Sequence, residues 1–162
     1  MLKVKNITLT DKFVAELVNS NQWEKSKTVN QDYSEKRKAS QVRIDPSFLL
    51  EELKEWGVDS LPDSASLLKY SKGDKFEKHN DTGSSRTHRV YTVVLQLSNP
   101  DEYKGGKFII HNSNFTLSKD KGTLLMFDSN KMHEVTPVTE GVRYSTVMWL
   151  TENMISRKLT II

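Results

Sequence analysis

The chain has 162 residues, no cysteine, and a net charge of +3 from 24 basic and 21 acidic side chains. This length is about one domain and can bury a real core, while the missing cysteines exclude a disulfide framework, a thiolate zinc site and a cysteine nucleophile. The charge is mildly basic and mixed in sign, so it argues little about nucleic acid, and no apolar run approaches the roughly 18 residues of a spanning helix.

The N-terminal Met1-Leu2-Lys3-Val4-Lys5 lacks the apolar stretch and cleavage site of a signal peptide. With the cysteine-free composition, this leads us to expect a cytoplasmic setting and no membrane partner. Thr10 or Asp11 can cap a helix with apolar positions Phe13, Val14, Leu17 and Val18. The densest basic stretch, Glu35-Lys36-Arg37-Lys38, reads as a solvated surface segment. A second helix is expected with Asp45 as cap and Pro46 as its first residue, carrying Phe48, Leu49, Leu50, Leu53 and Trp56 before a stop at Gly57.

From Ser66 the pattern changes to short strands between turns. Expected strands are Leu67–Ser71, Arg89–Leu97, Lys107–His111, Phe115–Ser118, Thr123–Phe127, His133–Pro137 and Val142–Leu150. Many short strands at this spacing mean a sandwich or barrel. We therefore expect one domain over 1–162, mainly β: a helical support over about 1–60 and a jelly-roll barrel (double-stranded β-helix, cupin-like) over about 66–150.

Four histidines bound any imidazole metal site. His79-Asn80-Asp81 reads H-x-D, and in an extended strand end residues two apart point the same way. Imidazole with carboxylate suits iron(II), manganese(II) and similar ions. The pair is a weak signal until a third ligand joins it. His88 sits in a polar segment and reads as loop, and His111 ends a strand beside Asn112-Ser113-Asn114, where exposure is the ordinary outcome. His133 differs, because it opens a hairpin that turns at Glu140-Gly141 and returns through Arg143. Two imidazoles and one carboxylate leave three adjacent positions on the metal. A 2-oxo acid can take two of them and dioxygen the third. Its far carboxylate then needs a buried cation, and the planar arginine fork fits best. Strand parity puts Arg143, Ser145, Val147 and Trp149 on one face, which we assign to the interior, where Ser145 can add a hydrogen bond to the same carboxylate.

These residues resemble a known family. Tyr70-Ser71-Lys72-Gly73 followed by His79-Asn80-Asp81, the segment Leu97 to Gly106 with its Gly-Gly turn, Lys121 to Phe127, and His133-Glu134-Val135-Thr136-Pro137-Val138 with Gly141-Val142-Arg143 are similar to the prolyl-hydroxylase-like branch of the iron(II)/2-oxoglutarate oxygenases, including the PKHD-type hydroxylases. The resemblance implies His79, Asp81 and His133 as catalytic iron ligands. It implies Arg143 as the anchor of 2-oxoglutarate, Tyr70 as a hydrogen-bond partner of that co-substrate, and Trp149 as pocket wall. Dioxygen, with ascorbate as reductant, completes the expected cofactors. The implied reaction is hydroxylation of an aliphatic C–H in a peptide, protein or free amino acid, with succinate and carbon dioxide released and proline the leading candidate. Many prolyl hydroxylases carry lysine where Arg143 stands, so the likeness is to arginine-bearing branches. Gly105-Gly106 reads as a tight connection, since a strand follows it and a phosphate cradle wants a helix.

Three other readings stay open. A nucleobase dealkylase of the same superfamily would carry a second arginine six residues after the first, where this chain has Trp149, so nucleic acid is not the expected partner. A small-molecule hydroxylase and a non-catalytic jelly-roll binding module are the others. Thr82–His88 is expected to form a flexible lid at the entrance, and Arg86, Gln96 and Asn114 are expected to face solvent.

Overall fold

The computed structural model describes residues 1–19, 23–25, 37–83 and 86–156. In chain order the elements are β1 (Leu2–Asn6), α1 (Asp11–Val18), β2 (Glu24–Lys25), β3 (Arg37–Lys38), β4 (Ser40–Ile44) and α2 (Leu50–Lys54). Then come β5 (Ala65–Tyr70), β6 (Lys75–His79), β7 (Tyr91–Gln96), β8 (Tyr103–Gly105), β9 (Phe108–Ile110) and β10 (Phe115–Thr116). The last are β11 (Thr123–Asp128), β12 (His133–Val135), β13 (Val138–Gly141) and β14 (Arg143–Leu150). A seven-stranded sheet runs β1-β11-β7-β14-β5-β4-β2 and a five-stranded sheet β10-β9-β12-β6-β3, with β13 paired to β8. The described residues are thus mainly β, in an arrangement consistent with a jelly roll.

Continuous apolar runs in the central strands have a simple cause: both faces of the large sheet are covered. In β11, Leu124 and Met126 join one apolar cluster with Leu49, Leu53 and Leu67, while Leu125 and Phe127 join a second with Phe108, Ile110 and Val135 of the small sheet. The first cluster lies under the helices and the second lies between the sheets. A one-residue slip of any central strand would exchange the two sets.

Helix α1 starts as its sequence indicates, with Thr10 Oγ1 accepting a hydrogen bond from the Phe13 amide at 3.1 Å. Phe13 meets Phe48 edge-on, ring centroids 5.0 Å apart. The second helix is shorter than expected: Ser47–Leu49 is a 3-10 turn, and Pro46 precedes it instead of opening an α-helix. Asp45 Oδ1 does accept from the Ser47 amide at 2.9 Å. Gly57, at φ 87°, ends the helix, with the Val58 amide reaching back to the Leu53 carbonyl at 3.3 Å.

All seven expected strands form, mostly one or two residues shorter than read. The stretch before residue 60 also contributes β1, β2, β3 and β4, where the sequence showed helices alone, and β6, β8 and β13 join the later part. Lys75-Phe76-Glu77-Lys78-His79 hides its strand because it is almost entirely polar, and β3 is two residues long. Gly105 and Gly106 do make a tight connection. At φ 73°, a Cβ on Gly105 would sit 2.2 Å from the Pro137 carbonyl oxygen.

Candidate metal centre

The pairing of β6 with β12 puts His79 directly opposite His133. Their rings lie 4.3 Å apart, and His79 stacks on Phe76 with centroids at 3.5 Å. Asp81 does not continue the strand, because the chain bends after His79 and the Asp81 amide donates to the Ser129 carbonyl at 2.9 Å. Asn80 holds that bend by accepting from the Gly83 amide at 3.1 Å. One donor atom from each of His79, Asp81 and His133 lies within 4.8 Å of the other two. Asp81 and His133 are buried and His79 is partly open.

Hydrogen bonds aim the ligand atoms. His79 Nδ1 is 2.6 Å from the Glu77 carbonyl oxygen, and His133 Nδ1 is 2.9 Å from that of Lys131. A carbonyl oxygen only accepts, so each Nδ1 carries the proton and each Nε2 presents its lone pair inward. The two Nε2 atoms stand 3.3 Å from Asp81 Oδ1 and Oδ2 respectively. Thr92 Oγ1 donates to Asp81 Oδ2 at 2.8 Å. With that proton committed, the 2.9 Å contact between the Thr92 and Ser129 hydroxyls has Ser129 as donor. Burial opposes ionisation of Asp81 more than any other single effect. With both imidazoles protonated and donating through Nε2, hydrogen bonds and charge from His133 and His79 together outweigh it and hold the carboxyl well below the usual carboxylate range. Burial, the largest effect at His79, pushes that imidazole down and favours the neutral form a metal needs.

The same cavity, ≈ 410 Å³ with its open mouth, is lined by Arg143, Ser145, Val147 and Trp149 as well as by the three clustered residues. This is the face that strand parity assigned to the interior. Arg143 is 1% exposed and is the register partner of Tyr70 across β14 and β5. Its Nη1 donates to Ser145 Oγ at 3.1 Å, and its carbon Cζ lies 5.3 Å from the Tyr70 ring centre. Nε and Nη2 have no hydrogen-bond partner. Those two nitrogens share one edge of the guanidinium, the fork that takes a carboxylate through two bonds. The donor set and this buried edge together fit a divalent metal with a dicarboxylate beside it.

The family assignment rests on the segment carrying this geometry. Residues 65–151 match the 2OG-Fe(II) oxygenase superfamily, more than half of the chain. The chain belongs to that superfamily. Its domain is one that works with iron(II) and 2-oxoglutarate. Among curated relatives, a PKHD-type hydroxylase of Shewanella sp. (strain ANA-3) is 33% identical over 89 residues, 51% of this chain and 40% of that protein. A PKHD-type hydroxylase of Cupriavidus metallidurans is 31% identical over 91 residues, 50% of this chain and again 40% of the relative. The match thus spans well under half the length of these relatives. A prolyl hydroxylase from Trichoplax adhaerens, solved with a hypoxia inducible factor oxygen degradation domain peptide fragment, superposes with TM-score 0.76 at 17% identity, covering 94% of this chain and 84% of that one. A Pseudomonas putida prolyl-4-hydroxylase gives 0.73 at 20% identity, covering 93% and 92%. These likenesses establish the fold.

Several expectations for oxygenase residues change. Arg37, read as part of a solvated run, is 9% exposed, lines the cavity and stacks on Phe76 at 4.7 Å. Gln96 is buried, not solvent-facing, and its Nε2 donates to the Tyr103 hydroxyl at 3.0 Å. Burial raises the Tyr103 phenol, and the Arg143 charge acts against it. Arg86 is half-buried, whereas Asn114 and His88 are exposed as expected. His111 is half-buried and contacts Glu134 at 2.8 Å. Of the expected lid, Ser84 and Ser85 lie outside the described residues, and the Arg86 amide bonds to the Thr82 carbonyl at 3.0 Å. Thr92 and Ser129, which support Asp81, carried no local signal. Among the described residues no helix is long and apolar enough to cross a membrane.

Proposed function

We propose that this chain is a 2-oxoglutarate-dependent dioxygenase that hydroxylates an aliphatic C–H of a peptidyl or free amino acid, with proline the leading candidate. In this reading residues 1–162 form one domain built on a double-stranded β-helix barrel, and His79, Asp81 and His133 hold iron(II). The iron centre supplies dioxygen activation, coupled to oxidation of 2-oxoglutarate to succinate and carbon dioxide, with one oxygen atom passing to the substrate. Ascorbate serves as reductant, and the setting is cytoplasmic.

The observation that carries this reading is the open Nε/Nη2 edge of buried Arg143, in the same cavity as the His-Asp-His cluster. A fully buried guanidinium with an unfilled fork is costly unless an anion completes it. A dicarboxylate co-substrate places its distal carboxylate there. Ser145 holds Nη1 and so fixes the plane of the fork. Its own proton is free to reach the same carboxylate. Tyr70, whose phenol burial pushes up, stays neutral and can donate to the co-substrate. The peptide bound to the Trichoplax adhaerens enzyme of the same fold supports a peptide as substrate.

The test incubates iron-loaded protein with 2-oxoglutarate, dioxygen and a panel of proline-containing peptides and free amino acids. Succinate above the uncoupled rate, with one oxygen gained by a panel member, is expected. Stimulation by methylated oligonucleotides alone would replace this reading with nucleobase dealkylation.

A further inference from the structure

A second cavity lies on the face of β14 opposite the metal centre, since Tyr144 lines it while the strand neighbours Arg143 and Ser145 line the first. It is an open groove of ≈ 620 Å³, mouth included, beside helix α1. Asp11, Val14, Ala15 and Val18 are spaced i, i+3, i+4 and i+7, so they form one stripe of α1 along the groove. Phe13 lies off that stripe and meets the ring of Phe48. Val14 and Val18 pack on the helix-side core cluster yet stay half-buried, and Leu97 lies beneath them with Tyr144 beside it. The charged lining is uneven. Lys121 is paired with Asp11, which leaves Glu102, exposed at the rim, as the charge without a counter-ion among the described lining residues. Glu102 is nevertheless fixed in place. Its Oε1 accepts from Asn99 Nδ2 at 3.0 Å and its amide donates to the Asn99 carbonyl at 3.1 Å. Its own carbonyl oxygen packs so closely on Gly141 that a Cβ there would sit at 2.0 Å. Burial first, then the Glu102 charge, raises the Tyr144 phenol, so carboxylate and ring share one end of the groove.

We infer that this groove docks a basic, apolar peptide segment of a partner protein, with a lysine or arginine at Glu102 and an apolar side chain on Val14 and Val18. The stripe from Asp11 to Val18 is about 10 Å long, the span of about three extended residues, which suits a short peptide segment. A basic side chain matches both parts of the lining. Its methylene stem lies along the valines while its head reaches the carboxylate, and the Tyr144 ring beside Glu102 adds a favourable surface for the same cation. An acidic segment would meet the Glu102 charge with repulsion, and a neutral one would gain the apolar contact alone. Because Glu102 is fixed before binding, little ordering cost falls on its side of the contact. Nothing in this site depends on the metal centre, so failure of either reading leaves the other standing.

The experiment titrates the isotope-labelled full chain with blocked hexapeptides and reads backbone amide shifts. The probes are alternating Lys-Leu, and the same peptide with Gln or with Glu in place of each Lys. The Lys probe should bind ~10-fold or more tightly than the Gln probe, and the Glu probe more weakly still. Its shifts should gather on α1, on Asn99 to Glu102 and on Tyr144, and added salt should weaken it. Glu102→Gln should bring the preference for Lys over Gln to within about twofold. Ala15→Lys, which sets a cation on the rim, should also weaken the Lys probe. Both variants change exposed side chains, so the fold by circular dichroism and the affinity for 2-oxoglutarate should match wild type. Equal binding of the probes, no binding of the Lys probe, a preference that survives Glu102→Gln, or shifts centred on His79, Asp81 and His133 would overturn the inference. Butylammonium binding as tightly as the Lys probe would assign the groove to a small organic cation and overturn it too. So would self-association that the Lys probe disperses, which would make a second copy of the chain the occupant.

Discussion

His79 and His133 face each other across paired strands, and each ring is oriented by a carbonyl two residues earlier in its own chain, Glu77 and Lys131. This symmetry aims both Nε2 atoms at the two oxygens of one carboxylate. His133→Ala should therefore cut manganese(II) affinity by more than the ~10–100-fold typical of groups that merely support ligands. Isothermal titration with wild type and variant measures it; unchanged stoichiometry and affinity would remove His133 from the centre.

Arg143 separates co-substrate binding from metal binding. Arg143→Ala should weaken 2-oxoglutarate by about 2–5 kcal/mol, the loss expected when one partner of a buried charged pair is truncated. Metal affinity should stay within about twofold of wild type, since among the described residues no hydrogen bond joins Arg143 to the clustered ligands. Parallel titrations with metal and with 2-oxoglutarate decide it.

Thr92 is the supporting residue with the clearest expected effect. Thr92→Val keeps the shape but removes the donor to Asp81 Oδ2 and strands the Ser129 hydroxyl. Metal affinity should fall ~10–100-fold with the fold intact by circular dichroism. An unchanged affinity would mean that the Ser129 carbonyl bond to the Asp81 amide holds the ligand by itself.

Much of this centre was legible in the sequence because it depends on strand parity and short spacings. His79 and Asp81 are two residues apart, and Arg143, Ser145, Val147 and Trp149 alternate along one strand. What stayed hidden depends on register between distant strands. Arg37 sits among charged neighbours and reads as surface, yet its pairing opposite Phe76 carries it into the cavity. Gln96 is opposite Ser145 across β7 and β14, and no local pattern shows that its outlet is the Tyr103 hydroxyl. The early strands were missed for a related reason. Ser40-Gln41-Val42-Arg43-Ile44 has only a weak alternation and gains its place by pairing with β5.

Gly105 tests the fold rather than the chemistry. At φ 73°, with the Pro137 carbonyl 2.2 Å from any Cβ, Gly105→Ala should cost ~2 kcal/mol or more. Tm should drop by about 4–8 °C, measured by calorimetry, with metal affinity retained below the transition. An unshifted Tm would mean that the pairing of β8 with β13 relaxes without strain.

The central claim is that His79, Asp81 and His133 hold iron(II) while Arg143 holds 2-oxoglutarate next to it. The most direct measurement is an anaerobic titration of the iron(II)-loaded protein with 2-oxoglutarate, followed by visible absorption. A weak charge-transfer band should grow to saturation at one equivalent, vanish in Asp81→Ala, and require much higher 2-oxoglutarate in Arg143→Ala. A wild-type protein that binds iron but shows no band at any 2-oxoglutarate concentration, or a band that persists in Asp81→Ala, would contradict it.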